Sequence, residues 1–289
     1  MRFALRTVSA CVFAVLLSGC DSDEGGGNFN PENRRITEIL GVEYYDGYDG
    51  FQGKQYSRHC RHRFFYDDEG RLDRWTNTEG SYNHDLEFYY ESDSRISIFG
   101  TKTNSSSGEI SVCYELELDA AGRVIQIRDG DGTTWSYTYS GDLLSERRYS
   151  GSNSEYTSSY TWTNGDLTRI EYDPVSSSNS TFQKNEYGNV PNIANLDLNY
   201  LTDLMDSTDD PEDMLRIAGM QGRNAHFVTR NFRNYIYKWE GVIISEGFHT
   251  VDIEWSFDEA GYPTGWKSLA WDPAAPEKDS GWEYTIYYE

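Results

Sequence analysis

Three stretches of this chain share one turn: "FYDDEGRL" at 65–72, "ELDAAGRV" at 117–124 and "SFDEAGYP" at 256–263. In each, an aspartate is followed after two residues by glycine. Asp67, Asp119 and Asp258 can accept hydrogen bonds from the amides that follow them. Gly70, Gly122 and Gly261 can take the left-handed backbone that closes a three-residue hairpin with a bulge. Shorter tips of the same logic are expected at Ser140-Gly141, Asn164-Gly165 and Glu240-Gly241. A chain that doubles back so often must pair its flanks as antiparallel strands, and the flanks alternate as strands do. Tyr114, Leu116 and Leu118 stand against Glu115 and Glu117; Trp135, Tyr137 and Tyr139 against Ser136 and Thr138; Tyr160 and Trp162 against Thr161 and Thr163.

From Gly70 to Gly165 the turn signals recur at intervals of roughly 20 to 28 residues, the length of two strands and two turns. The fold class is therefore mainly β, a long twisted antiparallel meander of repeated hairpins. One region breaks the pattern. "NIANLDLNYLTDLM" has apolar residues at helical spacing, and "DDPEDMLRIAGMQG" places Pro211 in a first turn, acids beside it and Gly219 near the end. Two short helices are expected, at about 195–205 and 211–220, inserted before the C-terminal strands. Residues 35–289 then read as a single β-meander domain.

The chain carries 48 acidic and 25 basic residues, a net charge of −23. Such a surface repels nucleic acid and anionic lipid, so no nucleic-acid partner is expected. With 23 tyrosines and 8 tryptophans there is ample apolar area for a core despite the low mean hydropathy.

The first residues have the form of a secretory signal: Arg2 and Arg6 supply charge, and Ala10 to Leu17 an apolar run too short to span a bilayer. The tetrapeptide Leu17-Ser18-Gly19-Cys20 resembles the bacterial lipobox. Its cysteine receives diacylglycerol and becomes the first mature residue. That reading makes 1–19 a lipoprotein signal peptide and 20–34 a lipidated cysteine followed by a flexible acidic and glycine-rich tether reaching about 20 Å. Loss of the two arginines takes the net charge from −23 to −25. The bilayer would be a partner through acyl chains on Cys20, each buried methylene contributing about 0.8 kcal/mol. The acids behind Cys20 resemble the signal that sends Bacteroidales lipoproteins to the outer face of the outer membrane.

With Cys11 in the leader and Cys20 lipidated, Cys60 and Cys113 remain; an oxidising compartment permits a disulfide, but forming one requires the sheet to curl. In His59-Cys60-Arg61-His62 only Cys60 and His62 share a strand face, and no second ligand pair stands at a zinc spacing, so no metal or other cofactor is expected. The histidines at 59, 62, 84, 226 and 249 lie in none of the nucleophile-activating motifs, and no catalytic residue can be named. "DGDGT" at 129–133 lacks the full calcium-loop pattern and reads as a turn. The aromatic face holding Trp135, Tyr137, Tyr160 and Trp162 must be covered as core or used, for instance to stack on a sugar ring.

The Asp-x-x-Gly-Arg hairpins, "LDLNYL" at 196–201, "LRIAGMQG" at 215–222 and the closing "YTIYYE" are similar to a family of Bacteroidales lipoproteins classed as domain of unknown function 4595. The hairpins also resemble the tyrosine-aspartate repeats of large bacterial surface and toxin proteins. The resemblance implies location and architecture, with no active-site residues to carry over. Asp206-Ser207-Thr208 resembles the site of O-glycan attachment in Bacteroidetes. The expected function is a non-enzymatic binding or structural lipoprotein, lipid-anchored at the outer membrane and exposed on the cell surface, with an extracellular protein or glycan as partner. A periplasm-facing assembly or transport factor and a glycan-binding protein with an aromatic face are the alternatives.

Overall fold

The computed structural model describes residues 34–46, 55–80, 82–104, 108–152, 155–174, 181–198, 211–222, 224–239, 242–271 and 279–289. Among them the alternation read from the sequence becomes sixteen antiparallel strands. The first eight are β1 (Ile36–Asp46), β2 (Gln55–Tyr66), β3 (Leu72–Glu79), β4 (Tyr82–Ser92), β5 (Arg95–Asn104), β6 (Gly108–Leu118), β7 (Val124–Asp129) and β8 (Thr134–Ser140). The rest are β9 (Leu143–Ser150), β10 (Glu155–Thr163), β11 (Asp166–Pro174), β12 (Thr181–Pro191), β13 (His226–Trp239), β14 (Val242–Phe257), β15 (Pro263–Trp271) and β16 (Asp279–Tyr288). Each strand pairs with its neighbours in sequence, and β1 pairs with β16, so the meander closes into a barrel.

The turns behave as their chemistry requires. Gly70, Gly122 and Gly261 have φ of 80°, 75° and 89°. In the first turn the Asp67 carboxylate accepts from the amides of Glu69 and Arg71, and the Gly70 amide donates to the Asp67 carbonyl. Asp119 and Asp258 repeat this. Each tip is followed by a bulge in the pairing. "DGDGT" is a fourth copy: Asp129 accepts from the amides of Asp131 and Thr133, and Gly132 has φ 86°. Asn164 and Gly165 both have positive φ, as a type I′ turn demands. At the neighbouring tip the loop is Gly141-Asp142, one residue later than the expected Ser140-Gly141, because the glycine takes the first loop position with φ 61°. Glu240-Gly241 lies outside the described residues.

A second device repeats at the rim where odd strands begin and even strands end. An aromatic near the end of every even strand but β6 hydrogen-bonds back to a carbonyl near the start of the strand before it. Tyr66 donates to Ile36 O (2.8 Å), Tyr90 to Leu72 O (3.0 Å), Tyr139 to Val124 O (2.7 Å) and Trp162 to Leu144 O (2.7 Å). Tyr187, Trp255 and Tyr288 bond in the same way to Leu167, Val228 and Pro263. In the β5–β6 hairpin Leu118 stands where the others have an aromatic, opposite Val124. Arg71 and Arg123 bind the aspartate of their own turn and lie over Tyr90 and Tyr139, at 4.2 and 4.6 Å from the ring centres. Where Tyr262 replaces that arginine, Arg34 from the other end of the chain reaches Asp258 and lies over Tyr262.

Barrels of this strand number can be wide enough for an aqueous channel. Here the interior holds one apolar cluster drawn from strands around the ring, including Ile39, Trp75, Leu86, Ile98, Leu116 and Ile127, all essentially inaccessible. Between β12 and β13 the chain adds a plug to that cluster: Ala194, Leu196 and Leu198, then the helix α1 (Pro211–Ile217), whose Met214, Leu215 and Ile217 are fully buried. The helix ends at Ile217 because Gly219, at φ 80°, closes it: the Gly219 amide donates to Arg216 O and the Met220 amide to Leu215 O. The earlier expected helix fares differently. Asn195 to Leu198 are irregular, and residues 199–205 lie outside the described set. The Asn192 side chain bonds both the amide and the carbonyl of Leu196, and Asn195 takes φ 53°; local side-chain bonding of this kind competes with helix.

Candidate functional site

The residues nominated from sequence separate into three groups. Leu17, Ser18, Gly19, Cys20 and Ser207 lie outside the described residues. Asp67, Gly70, Asp119, Gly122, Asn164, Gly165, Asp258 and Gly261 sit at tips on one rim. Against a rise from burial, hydrogen bonds from the Arg71 backbone and side chain hold the Asp67 carboxyl below its usual range. The aromatics lie on the inner face: Tyr137 is in the core, and Trp135, Tyr160 and Trp162 are half-buried against it. Trp135 meets Tyr149 edge to face at 5.6 Å, and Trp162 has its ring N–H committed to Leu144.

Sequence reasoning missed the interior polar row. His62, Asn77 and His84 are register partners on β2, β3 and β4, all buried and all pointing inward. Trp75, two residues before Asn77 on the same face, lies between the two imidazoles, with ring centres 5.9 Å from His62 and 5.5 Å from His84. Alternation along "HCRHRF" already put Cys60, His62 and Phe64 on one face; bringing His84 beside them needs the registers of three strands. One row further along, Gly41 has no side chain because a Cβ there would strike the Cys60 sulfur and the Tyr284 ring. The Tyr284 hydroxyl shares a hydrogen bond with Cys60.

His62 and Cys60 are each held in one protonation state near neutrality. Burial pushes the His62 imidazole down to about 3, with His84 adding to the effect, and burial together with Glu79 pushes the Cys60 thiol up to about 12. A thiol so raised is inert, and an imidazole so lowered shuttles no proton at neutral pH. His62 Nδ1, Trp75 Nε1 and both amide atoms of Asn77 are buried without a hydrogen-bond partner among the described residues. Each such atom costs the fold on the order of 1–3 kcal/mol. Among the described residues no three His, Cys, Asp or Glu side chains are grouped to hold a metal ion. Both Cys60 and Cys113 are free. Cys113 precedes the inward Tyr114 and so faces outward, whereas Cys60 faces inward; the sheet curls, but the two thiols lie on opposite faces.

The plug supplies a second buried polar group. Arg216 donates to Glu212 at 2.6 Å, with Asp213 at 3.8 Å, all three nearly inaccessible. Its far end is clasped to the β10–β11 turn: Asn224 Oδ1 accepts from the Leu167 amide and Tyr187, and Asp166 accepts from the His226 amide.

The outer face is charged. Arg61 and Arg63 flank Glu38, Arg74 pairs with Asp85, Arg95 and Arg128 flank Glu115, Arg169 pairs with Glu171, and Arg230 with Asp252. The Arg61 guanidinium holds Glu38 below the usual carboxylate range. These are cross-strand or same-strand surface pairs on one side of the sheet, opposite the apolar cluster. No helix among the described residues is long and apolar enough to cross a membrane.

Residues 119–154, from the Asp119 tip through β7, β8 and β9, match the family described as RHS repeat. A porin-like protein from Bacteroides uniformis ATCC 8492 has a similar structure: TM-score 0.58 and 14% identity, over 87% of this chain and 96% of that one. That similarity is one of fold. A porin-like protein from Bacteroides vulgatus ATCC 8482 gives a TM-score of 0.48 at 14% identity, over 88% and 98% of the two chains. A TcdB2-TccC3 structure without its hypervariable C-terminal region gives 0.27 at 15% identity, over 82% of this chain and 15% of that one. Comparison with curated proteins gives no match.

Proposed function

We propose that this chain is an extracytoplasmic, non-catalytic binding or structural module, held at the outer membrane by acyl chains on Cys20 with its barrel in water at the cell surface. The observation that carries the reading is the ion-paired outer face. A barrel that crosses a bilayer turns apolar residues to lipid, and each arginine or lysine facing the mid-plane costs about 2–4 kcal/mol. With Arg61, Arg63, Arg74, Arg95, Arg128, Arg169 and Arg230 turned outward, the strands suit water on the outside and oil within. The porin-like neighbours therefore lend this chain their fold and not a pore. The inert Cys60 and His62 support a non-catalytic interior, and the lipobox resemblance supports the anchor.

The test is metabolic labelling with a clickable fatty acid, followed by fractionation and protease treatment of intact cells. The wild type should carry label, stay with the outer membrane and be cut from outside; Cys20→Ala should lose label and become soluble. Label or membrane retention that survives Cys20→Ala would overturn the anchor, and protection from external protease would turn the module to the periplasmic side.

A further inference from the structure

The outer face of β12, β13 and β14 carries a cleft of about 580 Å³ lined by Lys184, Glu186, Arg230, Phe232, Thr250 and Asp252. The register explains its layout. Lys184, Phe232 and Thr250 form one lateral row, and Glu186, Arg230 and Asp252 the next, with the β13 residue at the centre of each. Phe232 is thus a half-buried aromatic floor with an amine on one side and a hydroxyl on the other. Phe182 packs beside the floor, its ring centre 5.9 Å from that of Phe232, with Arg169 at 4.4 Å and the Lys184 amine at 5.4 Å from its own ring centre. In the second row Arg230 lies between two carboxylates, bonded to Asp252 and 3.6 Å from Glu186, so both carboxylates stay oriented beside the floor.

The chemistry selects a ligand class. Two cations and two anions make the cleft neutral on a chain whose net charge is −23. An anionic ligand meets Glu186 and Asp252, a cationic one meets Lys184 and Arg230, and an alkyl chain would strip water from all four. A neutral pyranose avoids each penalty: its C–H face stacks on an aromatic ring, and its vicinal hydroxyls donate to carboxylates and accept from guanidinium, amine and hydroxyl. We propose that this cleft is a subsite for a neutral carbohydrate, stacked on Phe232 and hydrogen-bonded through Asp252, Glu186, Arg230 and Lys184. It uses none of the inward aromatics Trp135, Tyr137, Tyr160 and Trp162. It goes beyond the anchored-module reading and stands whichever way the anchor is resolved.

The experiment is isothermal titration of the full chain in detergent with maltohexaose, cellohexaose, xylohexaose and mannohexaose, with an oligogalacturonate as acidic comparison. At least one neutral hexasaccharide should bind more tightly than the acidic one. Phe232→Ala and Asp252→Asn should each weaken it about tenfold or more. Asp252→Asn keeps the shape of the side chain, so it reports even if Phe232→Ala is poorly folded, and a matching urea midpoint separates lost binding from lost structure. No binding of any neutral hexasaccharide at about 10 mM, a range in which even fragment-strength contacts register, would overturn the proposal. So would binding indifferent to both substitutions, or preference for the acidic sugar.

Discussion

Replacing His62 with glutamine should make the protein markedly less sensitive to acid. His62 is fully buried between Ile39 and Asn77 in register and stacks on Trp75, and its pKa falls from 6.5 to about 3 in the fold. A group lowered in the folded state contributes stability that is complete above its unfolded pKa and is lost as pH falls toward the folded one. At 1.36 kcal/mol per unit, the unfolded chain gains about 3 kcal/mol over the folded one between pH 7 and pH 4 through this side chain alone. Acid also costs the fold through Glu38, Asp67, Asp119 and Asp258, all held below the usual carboxylate range. Those terms are common to both proteins and cancel in the difference. Urea unfolding followed by tryptophan fluorescence at several pH values gives the two curves. The wild type should lose about 3 kcal/mol more than His62→Gln over that interval, whatever the glutamine does to stability at neutrality. Parallel curves would mean that His62 is solvated and that the interior row is not dry.

Gly122→Val should cost about 1–3 kcal/mol, since φ 75° is strained for any side chain even though the space around it is open, while Gly130→Ala in ordinary backbone should be near neutral in the same denaturant assay. Trp162→Phe should lose about 1 kcal/mol by leaving the Leu144 carbonyl without its donor, and Trp162→Ala about 3 kcal/mol or more in thermal unfolding. Arg216→Met removes the buried Arg216–Glu212 pair from the plug and should cost about 3–5 kcal/mol, most of it recovered by adding Glu212→Leu; a single variant as stable as wild type would refute a stabilising buried ion pair.

What was legible in the sequence was local. An Asx-turn needs an aspartate and a glycine within a few residues, so Asp67, Asp119 and Asp258 announced their tips, and "DGDGT" was recognisable as a turn. Period-two alternation assigned Tyr137 and Trp162 to one face and Thr138 and Thr163 to the other. The aromatic ladder was half visible: Tyr66 and Asp67 are adjacent, as are Tyr139 and the tip at 140–142, but the carbonyls they bond are a hairpin away. Closure was not legible, because nothing near Ile36 specifies Tyr288. Neither was the His62, Asn77 and His84 row, nor the Phe232 cleft, which depend on pairing registers several strands wide. The irregular start of the plug came from Asn192, whose amide side chain outcompeted a helical apolar pattern.

The seam between β1 and β16 gives the molecule a direction in time. Every other pairing joins strands that follow one another, so hairpins can form as soon as their two strands are free, whereas the seam brings together the two ends of the domain. Contacts of such long sequence separation form late and slowly. Until they do, β1 and β16 each present an open edge able to capture a strand of another chain, and a product clipped anywhere after β2 keeps such edges permanently. The residues "YTIYY" of β16 thus act as a fastener: they decide whether a row of hairpins closes its edges or leaves them open.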